Sequence, residues 1–106
     1  MAVFPRTSQI PFNSAIVNTT GSQQLSVGDG YIAAPPVVTV AGASKAVAVL
    51  YDGTDATGPQ IATFALNAVG PVAMPNSAYA TGLFCVVTSN GAAGTLQLNF
   101  TGPLPT

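Results

Sequence analysis

The stretch Lys45–Pro59, KAVAVLYDGTDATGP, decides the fold. In an extended chain Ala46, Ala48 and Leu50 fall on one face, and Val47, Val49 and Tyr51 on the other. Apolar residues on both faces are the pattern of a strand covered on two sides, inside a sheet and away from its rim. Asp52-Gly53 ends the run, because Asp bonds to the backbone two residues on and Gly accepts positive φ. A second turn stands at Thr57-Gly58-Pro59, and Gln60–Leu66 reads as the returning strand. The segment predicts a hairpin with a polar loop.

Towards the C-terminus, Asn67–Pro71 (NAVGP) reads as loop, Val72–Met74 as a short strand ended by Pro75, and Asn76–Ala80 as loop. Gly82–Thr88 (GLFCVVT) repeats the two-faced apolar pattern, with Leu83, Cys85 and Val87 against Phe84 and Val86. It is the expected second central strand. Ser89–Gly94 holds Asn90-Gly91, a hairpin cue. Thr95–Thr101 alternates: Leu96, Leu98 and Phe100 are expected to face in, and Thr95, Gln97, Asn99 and Thr101 out. Gly102–Thr106 adds no element.

Towards the N-terminus, Val37–Val40 is a strand entered at Pro35-Pro36, since two prolines cannot sit in a central ladder. Gly28-Asp29-Gly30 is a tight turn, Gln23–Val27 a weak strand, Gly21-Ser22 a turn and Ala15–Thr20 a short strand. No segment keeps helical periodicity for the ten or so residues a helix needs. The expectation is an all-β chain. It forms a single small antiparallel β-sandwich, jelly-roll-like, over residues 15–106, with roughly seven to eight strands.

Residues 1–14 read as an extended N-terminal arm. Pro5 and Pro11 each remove a backbone donor and hold the chain extended. Between and around them stand Val3, Phe4, Arg6, Ile10 and Phe12. Exposed phenylalanines need a surface to bury them. Two readings are open: the arm packs on its own domain as an edge strand, or Val3, Phe4, Pro5, Arg6, Ile10, Pro11 and Phe12 dock on a neighbouring subunit.

Of 106 residues, 48% are hydrophobic and 5% charged, against ~25% charged in an ordinary soluble domain. A folded chain of this mass exposes roughly 5,400 Å². Its charged side chains then number about one per 1,100 Å², and the formal net charge is −1, so repulsion between copies is weak. Two readings follow: a surface meant to be covered by neighbours, or a monomer kept in water by Ser, Thr, Asn and Gln. Arg6 and Lys45 are the only cations, which leaves phosphate neutralisation without means and argues against nucleic-acid binding. No apolar run reaches the ~18 residues of a membrane span, and the first dozen residues lack the pattern of a secretion signal. Cys85 is the single cysteine, expected as a buried inert thiol, and folding in a reducing cytoplasm fits it.

The chain has no histidine and no glutamate, and its side-chain carboxylates are Asp29, Asp52 and Asp55. General acid–base work draws on a titratable pair near the working pH, and a Ser or Cys nucleophile needs a base beside it. No such pair is present, so no enzymatic activity and no catalytic residue is expected. Asp52 and Asp55 share a loop, and Gly28-Asp29-Gly30 holds one carboxylate. Both read as turn chemistry before cation binding, and no metal or cofactor is expected. Sugar platforms favour Trp, which is absent; Tyr31 and Tyr79 lie beside loops, while Tyr51 reads as core.

From about Val37 to Phe100 the order of segments resembles a group of small β-sandwich virion proteins of tailed phages. The residues that carry the resemblance are Leu50–Thr54 (LYDGT), Ala56–Gly58 (ATG), Gly82–Val87 (GLFCVV), the Asn90-Gly91 turn and the alternating Thr95–Phe100. They are turn and core positions, and the first 36 residues lie outside them. The resemblance implies a non-enzymatic virion structural protein of the capsid decoration or cement type. Such a protein binds the outer capsid surface and stabilises the shell. Its expected partners are the major capsid protein and further copies of itself, as a trimer or in many copies. Its expected place is the virion, after folding in the host cytoplasm. The alternative is a receptor- or glycan-binding module of a phage tail or fibre. A tail-tube or fibre subunit ranks below both.

Overall fold

A computed structural model describes residues 13–32, 35–72 and 78–104. The described chain is all-β. Its strands are β1 (Asn13–Val17), β2 (Gly21–Val27), β3 (Gly30–Tyr31), β4 (Val37–Val40), β5 (Val47–Asp52), β6 (Gln60–Ala65), β7 (Gly70–Pro71), β8 (Ala78–Tyr79), β9 (Gly82–Thr88) and β10 (Thr95–Phe100). They form two antiparallel four-stranded sheets, in the orders β1-β10-β4-β7 and β2-β9-β5-β6, and a ribbon of β3 with β8.

Inward residues of both sheets make one core. Val17, Val38, Leu96, Leu98 and Phe100 come from the first sheet; Leu25, Ala48, Leu50, Leu83, Cys85 and Val87 come from the second. Two sheets sharing one buried layer form a sandwich. The alternation in β10 is as expected, with Leu96, Leu98 and Phe100 buried. Val37–Val40 is a strand over the predicted residues.

The hairpin read from Lys45–Leu66 is present: β5 pairs with β6, from Val47 with Ala65 to Tyr51 with Gln60. Among the described residues it is the one pairing between consecutive strands. Every other neighbour in a sheet comes from a distant part of the chain. β9 lies between β2 and β5, and β5 between β9 and β6, so both are interior strands as expected.

Their expected two-sided cover is corrected. Ala48 and Leu50 of β5 and Leu83, Cys85 and Val87 of β9 are buried; Val47, Val49, Tyr51, Phe84 and Val86 on the opposite face are only half-buried. A two-layer sandwich covers each sheet once. Tyr51 therefore stands on the outer face and not in the core.

The Asn90-Gly91 cue also differs. β9 pairs with β2 and β5, and β10 with β1 and β4, so residues 89–94 cross from one sheet to the other. The left-handed glycine of the crossing is Gly94, at φ 77°, and not Gly91. Gly21, at φ 114°, opens β2 instead of forming a turn. Ala78–Tyr79, read as loop, pairs with Gly30–Tyr31. The strand expected at Val72–Met74 is not found at Val72: the two-residue strand β7 (Gly70–Pro71) ends just before it, and Ala73 and Met74 lie outside the described residues. Pro71 is tolerated because β7 lies at the sheet rim.

The expected arm boundary after Ser14 falls inside β1. Asn13 Nδ2 donates to the Gly102 carbonyl at 2.6 Å, and Ser14 Oγ donates to Asn99 Oδ1 at 2.6 Å. Both residues belong to the domain.

Candidate interaction surface

The outer face of the β2-β9-β5-β6 sheet carries the apolar half of the sequence pattern that the core does not use. Cross-strand registers put Val49 between Val86 and Thr63, Val47 between Thr88 and Ala65, and Tyr51 beside Phe84. Val47, Val49, Tyr51, Phe84 and Val86 thus form a contiguous half-buried apolar strip. Ser22 and Gln24 flank it on β2, and Thr63 on β6. The opposite sheet presents a second uncharged row: Ile16, Gln97, Val37 and Pro71 align across four strands. Ile16 is 60% exposed and Val37 38%, with Val40 nearby at 56%.

No ionised side chain interrupts either face among the described residues. Asp29 lies in the turn after β2, Lys45 before β5 and Asp55 in the β5–β6 loop. Asp52, at the end of β5, is occupied as a bracket. Its carboxylate accepts from the backbone N–H of Thr81 at 2.8 Å, Ala80 at 3.0 Å and Gly82 at 3.4 Å. Those bonds, Thr81's foremost, hold its carboxyl below the usual carboxylate range, with desolvation opposing them. The Asx-type bond expected of Asp52 is made by Asp55 instead, which accepts from the Thr57 N–H at 2.9 Å. The Thr57 hydroxyl and N–H likewise lower the Asp55 carboxyl. Asp52 is committed to the backbone of the β8–β9 turn. Among the described residues no three His, Cys, Asp or Glu side chains converge on a metal position.

A cleft of about 300 Å³ opens where the rim strands β1 and β2 meet, lined by Ser14, Ala15, Ile16, Gln23, Leu25 and Leu104 among others. Both walls are rim strands among the described residues, and a sheet rim is the usual place for an added strand. The docking residues Val3, Phe4, Pro5, Arg6, Ile10, Pro11 and Phe12 lie outside the described residues.

The tyrosines separate. Tyr79 is buried, and its hydroxyl accepts from the Gly102 N–H at 3.2 Å, so it offers no stacking face. Tyr31 is 38% exposed at the β3–β8 ribbon. Cys85 is buried in the core, and desolvation pushes its thiol up to about 12.

Reading the sequence missed two features. One is the Ile16–Gln97–Val37 row, because it joins residues distant in the chain. The other is Gln24, whose Nε2 donates to the carbonyls of Ser26 at 2.5 Å, Gly53 at 3.1 Å and Leu83 at 3.2 Å. The outer apolar strip was legible in the sequence as a second apolar face of β5 and β9, though it was expected to be covered within the fold.

No protein-family model, no curated protein and no solved structure matches the chain.

Proposed function

We propose that the protein is a non-enzymatic structural component of a phage virion, a decoration or cement subunit that attaches to the outer capsid by apolar burial. The observation that carries this reading is the uncharged strip Val47, Val49, Tyr51, Phe84 and Val86 on the outside of the sandwich. An ordinary two-layer domain places polar residues there. Here the two interior strands of the sheet are apolar on both sides, while the second sheet covers only one and leaves the other half-buried. The scarcity of charge over the whole chain points the same way. The virion setting rests on the resemblance of Leu50–Thr54, Ala56–Gly58 and Gly82–Val87 to phage β-sandwich proteins.

The magnitude favours attachment in many copies. If the strip leaves roughly 200 Å² of apolar surface, covering it contributes about 5 kcal/mol before association costs. Those costs are of the same order or larger. One strip alone therefore holds weakly, and firm attachment needs the β1–β2 cleft, the N-terminal segment or linked copies acting together. Tyr31 is the one exposed tyrosine among those described, which lends the glycan-binding alternative little.

The test is location and a surface variant. In particles purified from cells that make the protein, a label at its C-terminus is expected on the outside of the shell. Val49→Glu and Val86→Glu are expected to leave a folded domain that no longer stays with the particle. Absence of the protein from particles, or full retention of both variants, overturns the reading.

A further inference from the structure

We propose that Asn90 is a self-modification site, where the chain converts its own asparagine to aspartate or isoaspartate through a cyclic imide. In the first step the Gly91 backbone nitrogen attacks Cγ of Asn90. A new N–C bond closes a five-membered ring, and the bond from Cγ to the side-chain nitrogen breaks. The proton lost by the Gly91 amide leaves with that nitrogen as ammonia. In the second step one water adds to either ring carbonyl and opens the ring. One water is consumed and one ammonia released, with no change of oxidation state.

Three observations single out this position. First, Asn90 is the one asparagine of the chain followed by glycine. Asn13, Asn18, Asn67, Asn76 and Asn99 precede Ser, Thr, Ala, Ser and Phe. A following side chain crowds the attacking nitrogen, and Gly91 has none. Second, Asn90 and Gly91 are both exposed, so water reaches the ring. They lie in the crossing between the sheets, outside any strand ladder, where the backbone has room to turn. Third, the polar neighbours stand on the correct atoms. The Lys45 N–H donates to Asn90 Oδ1 at 3.4 Å, on the carbonyl that gains negative charge. The Gly91 N–H donates to Ser89 Oγ at 3.1 Å, which places an acceptor at the proton that must leave. Ser89 Oγ in turn donates to the Ala92 carbonyl at 2.8 Å, which strengthens it as an acceptor.

The product matters for a nearly neutral protein. Conversion takes the formal charge from −1 one unit further negative, at a side chain that already accepts from the Lys45 backbone N–H. The isoaspartate form also inserts a main-chain carbon next to the bond from Ala43 N–H to the Ala92 carbonyl, 2.9 Å, that ties the crossing to the start of the hairpin.

The experiment is timed incubation of the purified full chain in mildly alkaline buffer. It is followed by peptide mass spectrometry and by enzymatic methyl labelling of isoaspartate. The Asn90 peptide is expected to gain the amide-to-acid mass difference many-fold faster than the Asn67 peptide. Gly91→Ala is expected to slow it many-fold, and Ser89→Ala several-fold, with melting curves showing each variant folded. Equal rates at Asn90 and Asn67 overturn the proposal. Faster conversion in Ser89→Ala overturns the assisting role of the hydroxyl and makes it a protecting one. Asn90→Gln, which forms no such ring readily, is expected to stay at its initial charge on isoelectric focusing; drift in this variant also overturns the assignment.

Discussion

Replacing Asp52 by Ala tests whether one carboxylate holds the hairpin loop against the β8–β9 turn. Asp52 accepts from Thr81, Ala80 and Gly82, while its own N–H donates to the Pro59 carbonyl at 2.7 Å and closes the loop. The Gly53 N–H donates to the Gly82 carbonyl at 3.0 Å alongside. Removing the carboxylate leaves Ala80 and Thr81 N–H groups to water and the more buried Gly82 N–H short of a partner. Hydrogen bonds to a charged acceptor contribute about 1.5–3 kcal/mol when sheltered. Exposure at Ala80 and Thr81 reduces that, so the expected loss is about 1–2 kcal/mol, similar to losing a helix cap. For a domain of this size that lowers Tm by roughly 5–10 °C. The pH dependence fixes the cause. A carboxyl lowered in the folded state stabilises above its unfolded pKa of about 3.9, and the contribution is lost as pH falls through the lower folded value. The wild type should therefore lose stability below about pH 4, and Asp52→Ala should lose less over the same range. Asp55 also titrates there, so Asp55→Ala serves as the comparison; its carboxylate is exposed and ties only Thr57. Urea melts at neutral and acid pH measure both. Equal midpoints for Asp52→Ala and wild type at neutral pH, or an unchanged acid slope, would refute the reasoning.

Cys85 is expected to resist thiol reagents in the folded protein and to react at once in denaturant, since burial raises its thiol to about 12. Gly82→Ala would push a Cβ to 2.8 Å from the carbonyl oxygens of Gly53 and Ser26; both are backbone, so a loss of at least about 2 kcal/mol is expected in denaturant titration. Leu98→Ala removes a fully buried core side chain and is expected to cost about 2–5 kcal/mol, read from the same titration. On the proposed docking role, deleting residues 1–12 should weaken retention on the particle in co-sedimentation, and deletion through Ser14 should in addition lower stability, because Asn13 and Ser14 bond to Gly102 and Asn99.

How far the fold could be read depended on how local its determinants are. The β5–β6 hairpin is contained in one continuous segment, so Lys45–Leu66 revealed it. The alternation of Leu96, Leu98 and Phe100 is likewise a property of six consecutive residues, and it was legible. The Asn90-Gly91 crossing was misread because a turn cue reports only that the chain bends. Whether the next strand pairs with the last or leaves for the other sheet is settled by β2 and β1, which occupy the neighbouring positions and lie some seventy residues earlier in the chain. Ala78–Tyr79 was missed for a similar reason: two residues carry no period, and their strand exists because Gly30–Tyr31 lies opposite. The candidate surface reverses this logic. Val47, Val49, Tyr51, Phe84 and Val86 were legible as a second apolar face, but the two-sided cover expected from them, with Tyr51 in the core, is not what the fold provides. The chain's own second sheet covers only the other side. An apolar pattern records a preference for burial; it names no molecule that covers the residue, and cover of this strip by a neighbour belongs to the proposed function. That the two strands at the centre of the sheet carry the excess, while flanking Ser22, Gln24 and Thr63 stay polar, gives the strip the form of an interface core with a polar rim.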